Sequence, residues 1–430
     1  MNNWTVFENE RIGEKYYYLR HKSGLPIYVF PKKLASAYAI YATRFGSVNN
    51  TFRTEENEEF ITVPDGVAHF LEHKMFENED GIDTFAHFSA NGANANAYTS
   101  NEKTAYLFSA TDRFYDSLRV LLDFVGRPYF TDENVKKEQG IIAQEIRMYD
   151  DHPGSRLYYA MLENLYQTHP IRLNVAGTVQ SIARITPDIL YRAYHTFYNL
   201  NNMALVIAGD VDPEAVEAVA DAVLQKASSF CIEQPTVLEG NGISASKKVL
   251  KMDVSRPQFA IGIKDVNLPL YPCEKARRAL AMDILNDLLF GRSTEFYGEL
   301  YEKGLLQDDF TVEYEWYSNC AYNAISGESD DPDAVYEAIL AHLDKMKRCP
   351  PSKTDFERLR RCNYADYIRG FDSTEEIANS FLHYLFLDVD YLKIGDLIAE
   401  LTYEEVVELM REFYHEDRFT LAIVAPLNEL

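Results

Sequence analysis

Short apolar runs with the spacing of strands alternate along this chain with longer stretches that have the spacing of helices. Tyr16–Arg20 and Pro26–Phe30 are apolar-rich and joined through Lys22-Ser23-Gly24, the pattern of a β-hairpin. Ser36–Phe45 reads as another strand. Pro64-Asp65-Gly66 marks a turn, with Asp65 placed to cap a helix from about Gly66 to Phe76. A short helix is expected over Thr84–Ala90, with Asp83 as its cap and Asn91-Gly92 as its stop. Strands at Asn96–Thr99 and Thr104–Ser109 precede a helix at Arg113–Val125. Thr131 can cap free amides, and Asp132 and Glu133 suit the positive end of a helix. That helix should run to about Asp150, where His152-Pro153-Gly154 stops it. A helix at Pro187–Tyr198, a buried strand at Met203–Gly209 and a helix at Pro213–Gln225 follow.

Glu233–Ser246 (EQPTVLEGNGISAS) has no clear period and reads as a linker. Beyond it, strands at Val249–Val254 and Phe259–Ile263 lead to a long helix at Glu274–Leu289. A strand-rich stretch at Phe310–Ile325, several helices and a final strand at Phe419–Val424 complete the chain. Both halves run strands, helices, strands, helices, with an apolar strand near the end. The fold class is therefore α+β, as two domains of similar design at 1–232 and 247–430 around a linker at 233–246.

Composition narrows the class. At 430 residues, 47% hydrophobic and 25% charged, the chain has the proportions of an ordinary globular protein, long enough to bury a large core unaided. Its five cysteines are widely spaced with no CxxC, which argues against a disulfide scaffold and against a cysteine-zinc site. A net charge of −25 repels nucleic-acid backbones, so nucleic-acid binding is excluded. Because the acids are spread along the whole chain, they read as a solvated acidic surface; a negative chamber that attracts basic peptides is the alternative. Met1–Tyr18 lacks the basic-then-apolar order of a signal peptide, and no run of about 18 apolar residues occurs. A soluble, cytoplasmic protein with no membrane partner is the expectation.

The chemistry lies in His69-Phe70-Leu71-Glu72-His73, of the form H-x-x-E-H. On a helix, positions i and i+4 face the same way about 6 Å apart, and i+3 lies beside them. Two neutral imidazoles can then hold one Zn²⁺ while Glu72 reaches the water at the open coordination position. Two histidines on an amphipathic helix can also be plain core or surface residues. Here Ala68, Phe70, Leu71, Met75 and Phe76 surround them, and burying two imidazoles and a carboxylate without partners is costly. A cation removes that cost.

Catalytic zinc needs a third protein ligand, and the helix from Thr131 offers two acids. Its apolar stripe includes Ile141, Ile142, Ile146 and Tyr149, and Glu138 and Glu145 fall within it. Most helical glutamates are solvated, so two inward-facing acids seven residues apart point to a cation. Gly140 between them weakens the helix by about 1 kcal/mol but would admit a close neighbour, expected to be the histidine-bearing helix.

With these segments in hand, the chain resembles the pitrilysin or insulinase family of inverted-motif zinc peptidases, which includes mitochondrial processing peptidase. The resemblance rests on GVAHFLEHKMFE (Gly66–Glu77), ANAYTSNEKTAY (Ala95–Tyr106), KEQGIIAQEIRMYDD (Lys137–Asp151) and HPIRLNVAGTVQSI (His169–Ile182). The HFLEHK and MYDD wording is most similar to the family's small bacterial YmfH-like subgroup. The resemblance implies tandem α/β-roll domains, each a mixed antiparallel sheet packed with helices. The first would be catalytic; the second, non-catalytic, would complete a substrate chamber. It also implies one zinc ion per chain on His69, His73 and Glu145, with Glu72 as general base and Glu138 as the supporting acid. Asn96 and Ala97 match the edge-strand residues that hold the substrate backbone.

The chain departs from the family in the second domain, where many members carry an Arg and a Tyr that clamp the substrate. Tyr301 stands where the Arg is expected and Asp308 where the Tyr is expected, and Arg292 and Tyr314 are the nearest substitutes. The implied activity is an endopeptidase that hydrolyses unfolded peptides through a metal-activated water. The implied partners are a second copy of this chain or a paralogue that lacks the motif. The alternative is a non-catalytic peptide-binding or scaffold subunit. Degenerate members of that kind lose the motif residues, and this chain keeps them all.

Overall fold

The structure, a computed structural model, describes residues 3–55, 59–79, 81–227 and 230–427. Ala37–Thr43 (AYAIYAT) and Met203–Gly209 (MALVIAG) are buried at every position, as strands covered on both faces must be. They pair antiparallel, with Tyr41 opposite Leu205, at the heart of a seven-stranded sheet. Its order is Thr5–Asn9, Glu14–Arg20, Pro26–Pro31, Met203–Gly209, Ala37–Thr43, Thr104–Ala110, Asn94–Thr99. Only Pro26–Pro31 and Met203–Gly209 run parallel, so the sheet is mixed. Asn94–Thr99 forms one edge.

Alternation along the strands divides their side chains between two faces. Ala39, Tyr41 and Phe108 join Phe70, Leu121, Phe124 and Phe197 in the main core. Phe30 and Tyr38 face the other way, against helix Thr374–Phe386. There the Phe381 ring lies 5.0 Å from that of Phe30, and Asn379 Nδ2 donates to the Tyr38 hydroxyl at 3.1 Å. A second sheet has five strands in the order Lys247–Met252, Phe419–Pro426, Gln258–Lys264, Ala321–Glu328, Thr311–Trp316. Helix Pro153–Leu165 packs on Gln258–Lys264 and Phe419–Pro426. Gly262 makes room for it: a Cβ there would lie 2.8 Å from Met161 Cγ and from Leu165 Cδ1.

These elements form two compact units. The first is Met1–Arg147, Leu173–Thr236 and Arg369–Phe386; the second is Met148–Arg172, Val237–Ile368 and Leu387–Leu430. Thr236 and Val237, where one unit gives way to the other, lie inside the expected linker. Two segments depart from a sequential division at 1–232 and 247–430. Met148–Arg172 belongs with the second sheet and Arg369–Phe386 with the first. The reason is amphipathic pattern: Leu157, Met161 and Leu165, and likewise Ile377 and Phe381, form apolar stripes that a bare sheet face covers. The α+β class with two mixed sheets is as the sequence indicated.

Two local expectations are corrected. Asp65 does not cap the motif helix, because its carboxylate accepts from Asn50 Nδ2 at 2.7 Å. The helix enters through Gly66 and spans Val67–Lys74. His152-Pro153-Gly154 ends one helix but starts another. The His152 ring accepts from the Ser155 amide at 3.2 Å, and Pro153 takes the first helical position, where its missing N–H costs nothing.

The linker is also less free than its composition implies. Ile232–Glu233 pairs with Thr51–Thr54. In the second unit, Glu239 accepts from the amides of Gln167, Thr168 and His169 at 3.0, 2.8 and 2.9 Å, and from Lys264 Nζ at 2.6 Å. Burial opposes ionisation, but the Lys264 ammonium and these three amides outweigh it and hold the Glu239 carboxyl at about 2. A depressed carboxyl stabilises the fold above its ordinary value of 4.5, and that stability disappears as pH falls towards 2. Glu239→Gln is therefore expected to lose about 1.5–3 kcal/mol at neutral pH. In denaturant titrations across the acid range, the difference from wild type should shrink as pH drops below 4.5; a constant difference would contradict the clamp.

Candidate metal centre

The motif helix is aimed by its entry. Gly66 has φ 91°, and a Cβ there would lie 2.5 Å from the Ala176 carbonyl oxygen. Across from it Gly177 has φ 75°, and its Cβ would lie 2.4 Å from the Asp65 carbonyl oxygen. Only glycines allow two backbones to cross this closely. Ser181 Oγ adds a hydrogen bond to the Asp65 carbonyl at 2.8 Å. Val67, Ala68, Phe70 and Leu71 are buried, so the helix cannot turn about its axis. His69, Glu72 and His73 occupy its remaining face.

The second helix, Asp132–Asp151, begins in a reciprocal cap. Thr131 Oγ1 accepts from the Asn134 amide at 3.2 Å, and Asn134 Oδ1 accepts from the Thr131 amide at 2.9 Å. Val135, Glu138, Ile142, Ala143 and Ile146 are buried, and Glu145 is half-buried beside them. Two expectations for this helix are corrected. Ile141 and Tyr149 do not belong to the inward stripe; they are 45% and 38% exposed. Gly140 does not admit the motif helix, since a Cβ there would meet nothing within 4 Å. At 100° per residue, the stripe set by Val135, Ile142 and Ile146 turns positions 140 and 141 outwards.

The two helices bring the donors together. His69 Nε2 lies 3.7 Å from Glu145 Oε1, and His73 Nε2 lies 3.5 Å from Glu145 Oε2. One ligand atom from each of these three residues can be chosen so that all lie within 4.8 Å of one another; no other such group occurs among the described residues. Ligand atoms on a tetrahedral ion at about 2.1 Å stand about 3.4 Å apart, so the donor set fits zinc. His73 Nδ1 meets Glu138 Oε1 at 3.0 Å, which turns Nε2 towards the shared space.

The two histidines differ in their electrostatics. Burial, helped by neighbouring His73, lowers His69 to about 3, so its imidazole is neutral and able to ligate. Burial alone would lower His73 too, but the Glu138 hydrogen bond and the charges of Glu145, Glu138 and Glu72 raise it. Burial raises Glu72 against the opposing effects of its Thr99 hydrogen bond and His73, and Glu145 adds to the rise.

Asn96 and Ala97 lie in the edge strand, opposite Leu107 and Tyr106. The Ala97 amide donates to Asn96 Oδ1 at 2.9 Å. Asn96 also lines a cavity of about 490 Å³ with Tyr38, Tyr98, Leu107, Glu375 and Asn379. Thr99, in the same strand, was not singled out from the sequence, yet its Oγ1 donates to Glu72 Oε2 at 2.6 Å. The signal was available: counting by two from Ala97 puts Thr99 on the same face.

Arg292 and Tyr314 belong to the second unit, where Arg292 donates to the Asp308 carbonyl at 2.5 Å. Tyr314 is buried and donates to Asp265 Oδ2 at 2.6 Å, in a network with Arg278. A Ser–His–Asp contact elsewhere is structural. His21 joins Ser23 Oγ at 2.7 Å and Asp221 Oδ1 at 2.9 Å, but Ser23 is 1% exposed and sits in a hairpin turn. No substrate reaches such a hydroxyl.

Comparison with known proteins shows the family and the fold. Residues 62–179 match the family model described as Insulinase (Peptidase family M16), and residues 184–362 match Peptidase M16 inactive domain. The chain is 39% identical over 425 residues to the uncharacterized zinc protease YmfH of Bacillus subtilis, covering 97% of this chain and 98% of that one. A solved structure from Alicyclobacillus acidocaldarius, assigned as an M16-like peptidase, is 34% identical with a TM-score of 0.92 over 96% of this chain and 98% of that one. Pitrilysin shares the fold at 14% identity and a TM-score of 0.74, this chain covering 47% of its length.

Two measurements test the site. A protonated His73 cannot ligate, so metal affinity should rise with pH until the raised pKa of His73 is passed, then level off. Glu138→Gln removes the negative charge of the nearest group that raises that pKa, leaving Glu145 and Glu72, and puts a weaker amide acceptor where the ring-orienting carboxylate stands. Chelator competition across about pH 5–8 should therefore show the inflection moved to lower pH, with roughly 10–100-fold weaker zinc binding at neutral pH. An unmoved inflection would remove Glu138 from control of His73. Gly140→Ala should raise stability by up to about 1 kcal/mol in thermal melts while leaving zinc binding unchanged; a loss of stability would mean that the exposed placement is wrong.

Proposed function

Because the chain belongs to the insulinase family of peptidases, family M16, we propose that it is a zinc-dependent endopeptidase that hydrolyses peptide bonds of unfolded peptides. The observation that carries this reading is the convergence of His69, His73 and Glu145 on one point with the Glu72 carboxylate alongside. Those three residues would hold one ion. Zinc, when bound, supplies the Lewis-acid charge that makes water nucleophilic near neutral pH and polarises the scissile carbonyl.

The chain's own residues supply the rest. Glu72 accepts the proton of the attacking water and returns it to the leaving amine. Its oxygens stand beside the His69, His73 and Glu145 ligand set, and Thr99 holds one of them. Glu138 keeps the His73 ring in its ligating orientation. A peptide that adds to the open edge of Asn94–Thr99 extends the sheet, with backbone hydrogen bonds around Asn96 and Ala97 giving affinity without demanding one sequence. Extended chains fit such an edge and folded domains do not. A role for Tyr314 at the substrate would require its hydroxyl to leave Asp265, whereas Arg292 keeps further donors beyond its bond to the Asp308 carbonyl.

Pairing with a second copy, or with a paralogue lacking the motif, belongs to the same proposal and is supported by the family resemblance. So does a cytoplasmic location in a bacterial cell. Among the described residues no helix is long and apolar enough to cross a membrane. The non-catalytic reading draws on the match to an inactive domain, but that match covers 184–362 and leaves every motif residue outside it.

Digestion of a diverse peptide library, with chelator and with zinc restored, tests the proposal. Cleavage should stop with chelator and return with zinc. Glu72→Gln should retain zinc and lose about 10²–10⁴-fold in kcat, whereas Glu145→Gln should lose the metal itself. Full turnover by Glu72→Gln would remove it from the chemistry.

A further inference from the structure

We propose that Thr99 is a positioning residue that pins one oxygen of the Glu72 carboxylate and leaves the other to face the reacting water. This rests on the peptidase reading, which gives Glu72 its role. The case is one of counting protons. Thr104 Oγ1 stands 2.8 Å from the Phe45 carbonyl oxygen, which can only accept, so the Thr104 proton is committed there. The Thr99 proton then has two acceptors within reach, Glu72 Oε2 at 2.6 Å and Thr104 Oγ1 at 3.3 Å. The carboxylate is nearer and charged, and such bonds are the stronger kind.

Rigidity follows from place. Thr99 ends the edge strand in register with Thr104, and Thr104 is wholly buried. A β-branched side chain on a paired strand has little rotational freedom, so its hydroxyl is a fixed point. Glu72 is long and would otherwise sample several rotamers. Bound through Oε2, it presents Oε1 in one direction. During turnover the water proton passes to Oε1 as the hydroxide oxygen bonds to the carbonyl carbon. The amine receives that proton as the C–N bond breaks, and the Thr99 proton stays on Thr99 throughout. The same strand thus binds substrate through its backbone and sets the base through a side chain, which couples the two distances.

The test uses Thr99→Val, which keeps the shape without the hydroxyl, and Thr99→Ser, which keeps the hydroxyl. On a peptide cleaved by wild type, Thr99→Val should lose up to about 100-fold in kcat with KM and zinc content unchanged. Thr99→Ser should recover most of that loss. In a crystal structure of Thr99→Val, Glu72 should leave its present orientation or occupy more than one. An unchanged kcat in Thr99→Val, a loss that Thr99→Ser fails to recover, or an unmoved Glu72 would overturn the proposal. If wild type cleaves no peptide at all, the peptidase reading fails instead, and the Glu72 orientation in the Thr99→Val crystal still decides whether Thr99 positions it.

Discussion

Two imidazoles and three carboxylates share one poorly solvated space between helices, and the rest of the first unit is arranged to keep them there. Groups of this kind are costly to bury together unless something compensates. Part of the compensation is internal: Glu138 pairs with His73 and Thr99 with Glu72. What remains is the point faced by His69 Nε2, His73 Nε2 and a Glu145 carboxylate that stands 3.5–3.7 Å from both. A divalent cation satisfies all three at once.

The scaffold explains how such a grouping is held. The motif helix contributes only eight residues, too few to hold a direction by itself. Its entry is fixed by the Gly66–Gly177 crossing, its apolar face by the core, and its charged face by the strand that carries Thr99. Glu138 and Glu145 arrive on a twenty-residue helix whose start is doubly capped. Three elements far apart in the chain therefore meet with little freedom, as catalysis by positioned groups requires.

Much of this was legible in the sequence, for reasons that can be named. The H-x-x-E-H spacing places three side chains on one helical face wherever that helix lies. Glu138 and Glu145 could be recognised because charged residues inside an apolar stripe conflict with its pattern. The all-apolar strand Met203–Gly209 could be read because burial on both faces leaves no polar position. Less legible was what depends on tertiary partners. The start of helix Pro153–Leu165 hid behind a proline that reads as a stop, and Gly140 invited a close neighbour that is not there. Neither exchanged segment, Met148–Arg172 nor Arg369–Phe386, carries a local sign of which sheet will cover it. Alternation from Ala97 gives the face of Thr99 but not its role, because a threonine in a strand is commonplace and only its bond to Glu72 singles it out.

The central claim concerns where a cation sits, and crystallography at the zinc absorption edge measures that directly. The account predicts one strong anomalous peak per chain, within bonding distance of His69 Nε2, His73 Nε2 and a Glu145 oxygen, with His73 Nδ1 still on Glu138. A zinc-soaked crystal with no peak there, or with the Glu145 side chain turned away from the two imidazoles, would contradict it.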